Sequence, residues 1–172
     1  MAVEALNAAT RAYEEAAIAF GREPGYVELI RQQLRKFSSA PLVLIISRPT
    51  SHAIQFFPEL VLNLCQGTSI GIDLARNIIR TLPKSEVEQR VVADLESLVG
   101  GMSGDELSQL SDLLIELGLS AAVDRVTTYA TAQTDDEMGQ LAEELEGVED
   151  DPTRWRLSRE ERLNRRGPGS DT

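Results

Sequence analysis

A chain of 172 residues, 42% apolar and 26% charged, has the length and composition of one ordinary globular domain whose core needs no staples or metals. The one cysteine, Cys65, excludes an intramolecular disulfide, and the longest apolar run, residues 42–46, is too short to cross a bilayer. The net charge of −11 is uneven: residues 91–153 hold 16 acidic side chains against Arg125 alone, whereas residues 154–172 hold six arginines against three acids.

The first residues lack the basic and apolar regions of a secretory leader, so a cytoplasmic protein is expected. Residues 2–20 read as a helix with Leu6, Tyr13, Ala17 and Phe20 along one face and Gly21 as its stop. A second helix is predicted from about Pro24, a residue suited to a first turn, to Phe37; its apolar face is Tyr26, Leu29, Ile30, Leu34 and Phe37. Residues 42–46 have the composition of a buried strand, but only residues 60–64 compete to pair with it. A short buried helix over 40–47 is therefore expected, opened by Pro41 and ended by Pro49. Another helix follows over about 51–65, kinked near Pro58, with Gly67 as its stop.

The second half carries clearer punctuation. Ile70, Leu74, Ile78, Ile79 and Leu82 form a helical stripe that ends at Pro83. Ser85 with Glu88, Ser103 with Glu106 and Thr134 with Glu137 each have the spacing of a capping box, and Gly100-Gly101, Gly118 and Gly147 follow as stops. Ser120 is predicted to open the helix that carries Val123, Val126 and Ala130. The fold expected is all-α, either a compact multi-helix bundle or a short helical-repeat, solenoid-like domain, over residues 1–150. Residues 151–172 read as an arginine-rich tail, with a short helix to 166 and a disordered end after it.

Few residues suggest chemistry. Cys65 and His52 are a conceivable nucleophile and base, but Cys65 ends an apolar run, where free cysteine is usually a small buried hydrophobe. One His and one Cys cannot build an ordinary zinc site. The acidic stretch around Asp135, Asp136 and Glu137 lacks the alternating oxygen ligands of a calcium loop. The glycines at 100, 101 and 104 lie between helices rather than after a strand, so they form no phosphate loop. No catalytic residue, metal or cofactor is expected.

The charge pattern suggests binding instead. Asp135, Asp136, Glu137, Glu143, Glu144 and Glu146 offer an acidic helical surface, and Trp155 with Arg154, Arg156, Arg159 and Arg162 combines the residue types most common at interface anchors. The expected function is a non-enzymatic protein–protein interaction module (an adaptor, immunity or chaperone-like protein) that meets a basic protein partner, with self-association through the tail as a further option. The alternative is a DNA-binding transcriptional regulator that uses a helix-turn-helix-like hairpin at 107–131. Its second helix offers Asp124, Arg125, Thr127 and Thr128 in the most acidic part of the chain, which disfavours nucleic acid.

Overall fold

The computed structural model describes residues 24–146 and Val148, and before them Glu4, Ala8, Arg11, Ala12, Glu15, Ala16, Ala19, Gly21 and Arg22. The expected apolar face at Leu6, Tyr13, Ala17 and Phe20, the stop at Gly147 and the whole tail lie outside the described residues. Of the early positions, Glu4, Ala8, Arg11, Ala12, Glu15, Ala16 and Ala19 are helical and exposed, a stripe at three- and four-residue spacing that faces solvent.

Helix α1, Tyr26–Leu34, follows Gly25, whose φ of 80° is the left-handed conformation glycine adopts freely. It is shorter than expected. The amides of Arg35 and Lys36 still bond back to Arg31 and Gln33, but Phe37 takes a φ of 56° and turns the chain out. Helix α2, Ala40–Ile46, has Pro41 in its first turn and buries Pro41, Leu42 and Ile45, so the apolar run is helical rather than extended. Next come α3, Thr50–Ala53, a 3₁₀ turn, Ile54–Phe56, and α4, Phe57–Gln66. This break matches the kink expected at Pro58. Proline has no N–H to give the carbonyl of Ile54, and its ring crowds that carbonyl.

Helix α4 is the centre of the molecule. It buries Phe57, Glu59, Leu60, Val61, Asn63, Leu64 and Cys65 and packs on α1, on α5, Ser69–Thr81, on α6, Lys84–Val99, and on α7, Gly104–Leu117. Helices α8, Ser120–Thr131, and α9, Asp136–Leu145, pack on each other and on α7, and α8 also packs on α6. The buried apolar residues form one cluster from Ile30 to Val148. Packing of α4 on α1 and α7, as well as on its sequence neighbour, makes this a bundle around a central helix rather than a stack of successive hairpins. Among the described residues there is no strand, and no helix is long and apolar enough to cross a membrane.

The helix ends depart from the sequence reading in instructive ways. The box at Ser103 forms as expected: its amide donates to Glu106 Oε2 at 2.8 Å, and the Glu106 amide donates to Ser103 Oγ at 3.3 Å. The other two boxes do not form. Helix α6 starts two residues early, at Lys84, with Pro83 rather than Ser85 in the cap position and the amides of Glu86 and Val87 bonded to its carbonyl. At α9 the cap is Asp135, whose Oδ1 accepts from the amides of Glu137 at 3.0 Å and Met138 at 3.2 Å. Ser120 is the first residue of α8 rather than its cap, which falls on Leu119. Gly118 closes α7 with a φ of 69°, as expected of a left-handed stop.

The face of α5 is as expected at Ile78, Ile79 and Leu82, which are buried, and at Leu74, which is half-buried, but its first turn departs. The helix buries Gly71, Ala75, Ile78 and Ile79, whereas Ile70 is 66% exposed. Helix α5 packs on α4 with Gly71 beside Asn63, where a Cβ would stand 3.8 Å from Asn63 Oδ1.

Candidate functional site

The acidic surface is held by α9. Asp135 caps the helix, Asp136 and Glu137 fill its first turn, where the helix dipole favours negative charge, and Met138, Leu141, Ala142 and Leu145 face the core. Its start is fixed against α7 by close backbone approach, since a Cβ on Gly104 would fall 2.5 Å from the Glu137 carbonyl oxygen. Asp135, Asp136, Glu137, Glu143 and Glu146 are exposed and Glu144 is half-buried. The structure therefore brings all six onto one helix and its cap, with Glu143, Glu144 and Glu146 at the opposite end from the other three. The last turn of α9 holds no basic residue, and residues 126–153 contain none at all. Carboxylates at that end meet the negative pole of the dipole, so helix stability does not account for them. Trp155, Arg154, Arg156, Arg159 and Arg162 lie outside the described residues.

His52 and Cys65 have separate surroundings. The Gln55 amide nitrogen donates to the His52 carbonyl at 2.9 Å and stands 3.0 Å from Nδ1, so Nδ1 accepts and the ring proton belongs on Nε2, which lies 3.0 Å from Tyr26 Oη. Burial, with Arg48 adding to it, lowers the His52 pKa from its ordinary 6.5. Burial first, and Glu106 second, push the Cys65 thiol up to about 12, against a smaller opposing bond to the Leu110 backbone. A thiol so protonated is a poor nucleophile at neutral pH. No cluster of three or more metal-ligating side chains occurs among the described residues.

The hairpin at 107–131 comprises α7, the Gly118 turn and α8. The one basic side chain on α8, Arg125, is bonded to Glu96 on α6. Arg76 and Arg80 of α5 meet Glu116 of α7, with Arg80 Nη2 at 2.7 Å.

A second feature was not anticipated from the sequence. A groove of about 520 Å³ opens where α1, α4 and the end of α6 meet, lined by Arg31, Arg35, Glu59, Leu62, Leu98 and Met102 among others. Glu59 is only 4% exposed. Arg35 Nη2 donates to its Oε1 at 2.9 Å and Arg31 Nε stands 3.9 Å from the same oxygen, but Oε2 has no hydrogen-bond partner. Leaving a buried acceptor unmade costs about 1–3 kcal/mol, more for a charged group. The sequence does carry a signal, a charged residue inside the apolar run 56–62, but the arginines that give it meaning lie 24 and 28 positions upstream.

No protein-family model matches the chain, and no curated protein or solved structure is significantly similar to it.

Proposed function

We propose that the protein is a non-enzymatic protein-interaction module, of the adaptor, immunity or chaperone-like kind, that presents the acidic surface of α9 to a basic protein partner. One observation carries this reading. Asp136, Glu137, Glu143 and Glu146 are exposed and form no ion pair among the described residues, on a helix whose surroundings in sequence hold no basic residue. Exposed, unpaired charge of one sign raises encounter rates with an opposite partner and selects against like-charged ones. In this reading Trp155 and the arginines of the tail add a second contact, to the partner or to another copy of the chain.

The DNA-reading alternative draws less support, because the basic side chain of α8 is already occupied by Glu96 and the hairpin adjoins the acidic helix. The test is affinity capture on the full chain at low salt, with and without nuclease, repeated with Glu143, Glu144 and Glu146 changed to glutamine. A protein partner that survives nuclease should elute with salt, and each neutralisation should weaken its binding by roughly 0.5–1 kcal/mol, about two- to five-fold. Binding indifferent to salt and to these changes overturns the reading, as does recovery of nucleic acid alone.

A further inference from the structure

The groove beside Glu59 has a chemistry of its own, separate from the acidic surface. Glu59 is buried and its Oε2 is closed off by protein, so this carboxylate acts on the groove only through the arginines it holds. Its Oε1 accepts from Arg35 Nη2 at 2.9 Å and lies 3.9 Å from Arg31 Nε, and Arg31 Nη2 is fixed in turn by the Gln55 carbonyl at 3.1 Å. Both arginines are thus oriented from within, yet their side chains are 36% and 59% exposed. A guanidinium has several N–H donors, and each of these two gives one to a hydrogen bond within the described residues, so an outer N–H edge of each is left toward the groove. These two groups and the enclosed Glu59 are the charged residues of the lining, so a molecule in the groove meets positive charge. Beside the arginines, Pro58 is exposed and Leu62 half-buried, which adds apolar contact, and the volume is in the range of small-molecule sites. An amine would be repelled here, and a small hydrophilic anion would leave the apolar wall without contact. A carboxylate matches the planar fork of a guanidinium, and an apolar chain attached to it matches the wall.

We propose that this groove binds a free monocarboxylic acid with an apolar chain, its carboxylate on the outer N–H edges of Arg35 and Arg31 and its chain along Leu62 and Pro58. Titration calorimetry on the full chain tests this with octanoate, with 1-octanol and octylamine as its neutral and cationic counterparts, and with acetate as the charge without the chain. Octanoate should bind saturably, and the other three at least about tenfold more weakly, the effect of one lost charge-assisted hydrogen bond or of the lost apolar contact. Arg35→Gln should cause a similar loss. Because that change also removes a partner of the buried Glu59, Ser97→Trp supplies a second arm: Ser97 is an exposed lining residue, and an indole there fills the groove from the solvent side without entering the core. Helicity measured by circular dichroism confirms that each variant is folded. Absence of saturable octanoate binding at millimolar concentration overturns the proposal. So does octanol, octylamine or acetate binding as tightly as octanoate, or octanoate binding that survives Ser97→Trp.

Discussion

His52 illustrates how much one side chain can impose on the behaviour of the whole. Its ring lies parallel to Tyr26 with centroids 5.6 Å apart, edge-on to Phe56, and Gln55 directs an amide proton at Nδ1. A second ring proton would face that donor, in a site that burial and Arg48 already make unfavourable for positive charge. The folded-state pKa is therefore lower than the unfolded value of 6.5, so the unfolded chain takes up its proton first as pH falls. Stability from this residue is fully present above 6.5 and is lost as pH falls toward the folded value. Urea midpoints should decline across that window in the native protein, and His52→Gln should flatten the decline. Glu116, whose pKa is lowered chiefly by its hydrogen bond to Arg80, contributes in the same direction, but only below its ordinary 4.5, so the two windows separate.

At the scale of elements, the positions of helices were legible because glycine, proline and apolar spacing act locally. Residues 40–46 were correctly separated from a strand because Pro41 suits a helix start and no partner strand was at hand. Details of the ends were less legible. Thr134 and Asp135 are both good caps, and the sequence pattern favoured the first because Glu137 follows at the right distance. The structure uses the second, which lets the Asp135 carboxylate reach two amides and also face the positive end of the dipole. Asp135→Ala should therefore lower stability by about 1 kcal/mol, and Thr134→Ala should leave it within about 0.5 kcal/mol, both read from urea unfolding. The burial of α5 was legible at Ile78, Ile79 and Leu82, and only its first turn was missed, for a reason no single-helix pattern contains. A stripe of large residues predicts its own burial, but the closest helix contact selected Gly71 and Ala75 and left Ile70 outside.

Across the whole molecule, the division of charge was visible in the sequence and the groove was not. Counting residues is enough to find an acidic stretch, whereas the groove depends on α1 and α6 converging on α4, which only tertiary packing sets. That convergence involves α6, a helix with an internal break. In α6, Asp94 has φ −124° and ψ 19°, outside helical geometry, and aspartate is among the weaker helix formers. The turn after it carries Ser97 and Leu98, which wall the groove. Cooperativity along a helix depends on an unbroken ladder, so this final turn is anchored less by the first half of α6 than by Leu95 and Val99, which are fully buried in the core. Amide hydrogen exchange should register that anchorage: protons from about residue 95 to 99 should exchange together with those in the middle of α4, when the bundle unfolds, and Leu95→Ala should let them exchange ahead through local opening. The groove wall at Ser97 and Leu98 thus owes its place to the core beneath it more than to the helix that carries it.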